Sequence, residues 1–191
     1  MTRGRSTRGC LVELVETLVL TLVLFFVIQT FVAQPFQVHM TSMERTLEPS
    51  HYVLVDKLTP RFDTYKRGDI VVFHPPAEYA QLDGTPYIKR VIGVAGDTVE
   101  LRDGKVVVNG DVLTEPYLYI EADGSQPTDT SGDTTRWAIP EGQLFVMGDH
   151  RNISEDSRVF GPIPATDVIG RAWLRYWPLD AFGVLPTPEY R

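Results

Sequence analysis

The hydrophobic pattern divides the chain into one continuous apolar stretch and many short alternating ones. From residue 17 to residue 33 no side chain is charged, a run of 17, which is close to the minimum for a helix to cross the hydrocarbon core of a bilayer. Between residues 18 and 28 such a helix is apolar on every face apart from Thr21, unlike the one-sided stripe of a surface helix. Glu13 and Glu16 are three apart and share a face where the helix would meet the headgroups. Pro35 predicts its end, because the residue before a proline is pushed out of the α region. A transmembrane helix is therefore expected over 11–34, after a short tail at 1–10.

Beyond Pro35 the helical period disappears. Residues 52–55, 69–73, 87–94, 98–101, 105–108, 144–147 and 169–177 are rich in β-branched and aromatic side chains and are bounded by turn residues, which predicts strands. Asp103-Gly104 between two of them predicts a hairpin turn. Residues 121–136 are mostly Asp, Gly, Ser, Thr and Pro and predict a flexible surface loop. Many short strands with no long helix after the first predict an all-β domain, a folded sheet or barrel.

Composition narrows the function. A hydrophobic content of 43% supports a real core, and a formal charge of −7 argues against nucleic-acid binding. The only cysteine, Cys10, precedes the apolar stretch, and the four histidines show no metal-ligand spacing. Neither a metal nor another cofactor is expected. A cleaved signal peptide is the alternative to an anchor, but with Ala33 as the last residue before a cut the third-last would be Phe31, which is too large. Arg3, Arg5 and Arg8 precede the span and only Arg45 follows closely. That bias predicts a cytoplasmic N-terminus and an extracytoplasmic β domain at the cell membrane.

Few residues stand out chemically against the strands. Lys89 lies on one face of its strand with Tyr87 and Val91, and Arg90 lies on the other with Ile88 and Ile92. Both faces are largely apolar, so alternation leaves open which cation is buried. A buried lysine loses solvation of its charged form, and a neutral amine can take the proton of a serine hydroxyl; a lysine that snorkels to water cannot. The loop 148–158 packs two arginines, three acids and two serines into eleven residues, enough for a rigid network of charge-assisted hydrogen bonds. Ser42 follows shortly after the apolar stretch, at the expected membrane edge.

Four blocks resemble the type I signal peptidases, membrane-bound proteases that use a serine and a lysine. They are Ser42-Met43 with Thr46-Leu47; Arg67-Gly68-Asp69-Ile70-Val71; Tyr87 through Gly93 with Gly96-Asp97; and Gly148-Asp149 through Arg158. The resemblance implies that Ser42 is the nucleophile and Lys89 the general base. It implies that Ser154 helps orient the lysine and that Asp156 and Arg158 brace the loop. It also implies a catalytic β domain over 35–100 and 138–180, a small inserted β lobe over 101–137, and a tail at 181–191. Substrates would be signal peptides of exported preproteins, cut after Ala-x-Ala-type sites, with membrane lipid and the secretion translocon as further partners. Two positions depart from the family. Arg45 stands where a proline is usual, and Met40 stands where some members have a serine that donates to the oxyanion. The other readings are a catalytically inactive or binding-only relative and a self-cleaving repressor, although the latter's helix-turn-helix is missing ahead of the serine.

Overall fold

A computed structural model describes residues 7–58, 62–81, 84–129, 132–188 and 190, with the side chains of the first helix described from Gly9 onward. Arg3 and Arg5, on which the expected orientation partly rests, lie outside the described residues.

Helix α1 spans Thr7–Val27 and continues as a π-helical turn, Ile28–Val32. The 24 residues from Gly9 to Val32 have a mean hydropathy of 2.5 and no residue of that span is buried inside the protein. At about 1.5 Å per residue they are long enough for a hydrocarbon core of about 30 Å. The hydroxyls of Thr17 and Thr21 donate to the carbonyls of Glu13 and Thr17, four residues back, so the apolar helix exposes no unsatisfied hydroxyl there. The helix ends sooner than Pro35 suggests. Ala33 is already extended, and Pro35 lies inside strand β1, Ala33–Gln37. The proline is tolerated because β1 is the edge strand, paired only with β2, Tyr52–Asp56.

The remaining strands are β3 (Ile70–Phe73), β4 (Tyr87–Gly93), β5 (Thr98–Arg102), β6 (Lys105–Val108), β7 (Asp111–Val112), β8 (Arg136–Ala138), β9 (Gln143–Met147), β10 (Ile163–Pro164), β11 (Val168–Trp177) and β12 (Gly183–Val184). The larger sheet runs β1-β2-β11-β3-β4-β9-β10, and β12 continues the edge of β11 where β3 stops. Register shifts interrupt β11 against both β2 and β3, and β4 against β9. Each adds local twist, and together they curl the sheet. The smaller sheet, β7-β6-β5-β8, is fed from the end of β4. Its first hairpin turns at Asp103 and Gly104, both at positive φ (51° and 70°), the type I′ geometry that Asp-Gly favours.

Burial explains the ambiguity of β4. Strand β3 sends Ile70 and Val72 into one apolar cluster, with Val53, Val55 and Ile88, and Val71 and Phe73 into another, with Tyr87, Val91 and Val146. Every residue of β4 is buried, because the strand has β3 and β9 on its two edges and protein on both faces. The polar segment 121–136 also departs from expectation. Thr128 is buried and accepts from Arg151 Nη1 at 2.9 Å, and the Asp129 carbonyl accepts from Arg158 at 3.0 Å. A segment that looks like free loop is fastened by arginines about 23–29 residues away, which local composition does not reveal. The C-terminal segment packs as well: Leu185 is buried, and Tyr190 Oη lies 2.6 Å from Tyr117 Oη.

Gly170 marks a close crossing of β11 and β2, since a Cβ there would press into the Asp56 carbonyl and the Val55 side chain. Gly170→Ala is expected to destabilise the β domain by about 1–3 kcal/mol, read as a lower urea midpoint with an unchanged slope.

Candidate active site

The loop after β1 is wound tightly enough to fix Ser42. Glu44 N–H donates to the Thr41 carbonyl, and Thr46 and Leu47 N–H both donate to the Met43 carbonyl. Met43 and Leu47 are fully buried in the main cluster and act as pegs on either side of the turn. Arg45 sits at φ 80°, its N–H donates to Glu48 Oε1 at 3.2 Å and its guanidinium to the Leu118 carbonyl. A proline could adopt neither that φ nor that hydrogen bond. The turn is therefore shaped differently from a proline turn and held by its own contacts. From the other side, His150 N–H donates to the Ser42 carbonyl at 3.0 Å. The Ser42 N–H has no hydrogen-bond partner among the described residues.

Lys89 arrives on β4 and meets this serine. Its Nζ lies 2.6 Å from Ser42 Oγ, with Lys89 1% and Ser42 5% exposed. Burial pulls the amine from its ordinary value near 10.5 down to about 8; the carboxylates of Asp156, Glu155 and Asp149 push back, and Arg158 acts in the same direction as burial. The neighbouring cation fares differently. Arg90 forms a bidentate pair with Asp149 (2.8 and 2.7 Å), donates to the Gly68 and Pro186 carbonyls, and lies over the Tyr117 ring. Asp149 also accepts from Thr46 Oγ1 at 2.5 Å, so the pair ties β4 to the serine turn.

The loop after β9 supplies the frame. Asp156 is fully buried and accepts from Ser154 Oγ (2.7 Å), Gly148 N–H (3.0 Å) and Arg158 Nε and Nη2 (2.8 and 2.9 Å). Burial opposes its ionisation, but Arg158, Ser154 and Gly148 together outweigh that and hold its carboxyl below the ordinary range. Arg158 also reaches the Arg151 and Ser154 carbonyls. Ser154 is thus committed to Asp156, and no hydrogen bond joins it to Lys89. It is nevertheless close to the serine turn, because a Cβ on Gly148 would strike both Ser154 Oγ and, at 2.5 Å, the Ser42 carbonyl. The structure gathers Ser42, Lys89, Ser154, Asp156 and Arg158 into one region. Sequence reading missed the Arg90–Asp149 pair. Arg90 was visible as a cation on an apolar strand, but its partner is 59 residues away and looked like any loop aspartate.

A small cavity of about 20 Å³ opens along the segment that leads to Ser42, lined by Phe36, Val38, Met40, Val53, Val72 and Ile88 among others. Met40 Sδ lies 3.5 Å from Gln81 Nε2 and has no proton to offer a ligand.

Comparison with known proteins gives a consistent result. The family profile described as signal peptidase, peptidase S26, matches residues 11–177. A signal peptidase I of Leptolyngbya laminosa is 38% identical over 184 residues, covering 94% of this chain and 87% of that protein. A signal peptidase IB of Staphylococcus aureus (strain MRSA252) is 31% identical over 189 residues, covering 94% and 96%.

The buried lysine has a stability consequence. Its proton is held less tightly in the folded than in the unfolded chain, so the penalty is complete below pH 8 and fades as pH rises toward 10.5. Lys89→Met should therefore be more stable than the wild type at pH 7, by on the order of 3 kcal/mol. The difference should shrink between pH 8 and 10.5 in urea titrations of the detergent-solubilised protein, and one that is independent of pH would contradict the burial of a titrating lysine.

Proposed function

Since the chain belongs to the signal peptidase family, peptidase S26, whose members are serine proteases, we propose that it cleaves signal peptides with Ser42 as nucleophile and Lys89 as general base. The observation that carries this reading is the buried 2.6 Å contact between Lys89 Nζ and Ser42 Oγ. When the amine is neutral it accepts the Ser42 proton as Oγ attacks the scissile carbonyl. The oxyanion forms near the unpartnered Ser42 N–H, which carries the stabilisation that Met40 cannot share. The lysine ammonium then protonates the departing amine, leaving an acyl-enzyme. Lys89 next takes a proton from water as the water oxygen attacks the ester. It passes that proton to the departing Ser42 Oγ, which restores the serine hydroxyl and the neutral amine.

The brace formed by Ser154, Asp156 and Arg158 keeps the serine turn and β4 in register through Gly148, so its role is positional. The cavity lined by Phe36, Val38 and Ile88 is narrow and largely apolar, which supports a preference for small side chains and Ala-x-Ala-type sites. The apolar α1 anchors the enzyme in the cell membrane with its N-terminus cytoplasmic and the β domain extracytoplasmic, and this raises encounters with membrane-held preproteins delivered by the translocon.

The detergent-solubilised protein should cleave a preprotein carrying an Ala-x-Ala site, with an acid limb in kcat/KM near pH 8. Ser42→Ala and Lys89→Met should each reduce kcat/KM by on the order of 10⁴-fold or more. Cleavage that survives either change would overturn the assignment, and no cleavage by the wild type would favour a binding-only relative.

A further inference from the structure

One short hydrogen bond beside the base has no part in the steps above. Tyr87 Oη donates to Glu155 Oε2 at 2.6 Å. The Tyr79 carbonyl lies 3.0 Å from the same hydroxyl, but a single phenolic proton cannot serve both, and the shorter, charged acceptor takes it. Tyr87 is two residues before Lys89 on β4, so the two side chains share a face. It is 4% exposed, and its ring centre lies 5.1 Å from Lys89 Nζ. The phenol stays neutral, because burial and the adjacent carboxylate push its pKa up to about 12.

The acids around Lys89 are not equivalent. Asp149 is neutralised by Arg90 and Asp156 by Arg158, whereas Glu155 has no cation within ion-pair distance among the described residues and is held by a phenol. It sits between Ser154 and Asp156, whose side chains turn into the brace. Of the charged groups acting on Lys89, which are Asp156, Glu155, Arg158 and Asp149, Glu155 is the one whose charge no partner offsets.

We propose that Glu155 is a positioning residue for Lys89: tethered by Tyr87, its carboxylate keeps the lysine head over the Tyr87 ring beside Ser42 and sets the pH at which the amine is free to accept the serine proton. The proposal rests on the assignment of Lys89 as base. An unneutralised carboxylate favours the ammonium form, so it counters burial and prevents the amine from becoming too weak a base. The ring contact adds a cation–π attraction that acts only while the head is charged.

The test is the pH dependence of preprotein cleavage by the detergent-solubilised full chain, for the wild type, Glu155→Gln, Tyr87→Phe and the double variant. Glu155→Gln should move the acid limb to lower pH by roughly half a unit while keeping the alkaline plateau of kcat within a few-fold. Tyr87→Phe keeps the ring but frees the carboxylate to swing into water, so it should move the limb the same way. Adding Glu155→Gln to Tyr87→Phe should then move it little further. A wild-type limb that Glu155→Gln leaves in place overturns this proposal alone, and so do additive shifts in the double variant. A wild type with no acid limb between pH 6 and 10 overturns the assignment of the base as well. Glu155 is solvent-exposed, but if its substitution prevented folding, the limb of Tyr87→Phe would decide the question by itself.

Discussion

Two consecutive cations on one strand are taken out of water, and only one of them is given a carboxylate. Arg90 turns to one face of β4 and meets Asp149 through two parallel hydrogen bonds, so its charge is retained. Lys89 turns to the other face and meets a serine hydroxyl, so its charge is disfavoured. A buried ion lacking a full partner is costly, and a lysine can reduce the cost by releasing its proton where an arginine cannot. Strand position and residue type together thus produce a neutral amine at an accessible pH. Placing β4 between β3 and β9 is what makes both burials possible.

The other elements hold the serine against that amine. The turn carrying Ser42 is pegged by Met43 and Leu47, tied to Asp149 through Thr46, and met by the backbone of His150. Gly148 allows the brace to approach, since any side chain there would displace Ser154 or the Ser42 carbonyl. Arg151 and Arg158 extend the brace into the segment between β7 and β8 of the small sheet, through Thr128 and the Asp129 carbonyl. The strands between β4 and β9 are therefore connected to the Ser42–Lys89 pair by hydrogen bonds of buried arginines as well as by the chain.

Much of this was legible in the sequence, for identifiable reasons. Seven strands, β2 to β6, β9 and β11, and the Asp-Gly hairpin followed from period-two alternation and turn chemistry, which are local; β1 and the short β7, β8, β10 and β12 did not. The apolar helix followed from an uninterrupted run, although its end did not. Pro35 looked like a helix stop and is a tolerated member of an edge strand, because edge position depends on sheet order rather than on neighbouring residues. Alternation could not rank Lys89 against Arg90, since a strand covered on both faces buries both. The partner of Arg90, the fastening of Thr128 and the Tyr87–Glu155 contact all depend on pairings over 20 or more residues, which periodicity does not encode. The same holds for Arg45, whose positive φ and bond to Glu48 are properties of the folded turn.

The chain has four lysines, Lys57, Lys66, Lys89 and Lys105, so a lysine-selective 13Cε NMR titration of the micelle-bound protein can follow each one, with Lys89→Met assigning its signal. The Lys89 resonance should titrate near pH 8. Titration at the ordinary value of about 10.5 would mean that Lys89 is solvated and charged at neutral pH, and would contradict the proposal that it is the base for Ser42.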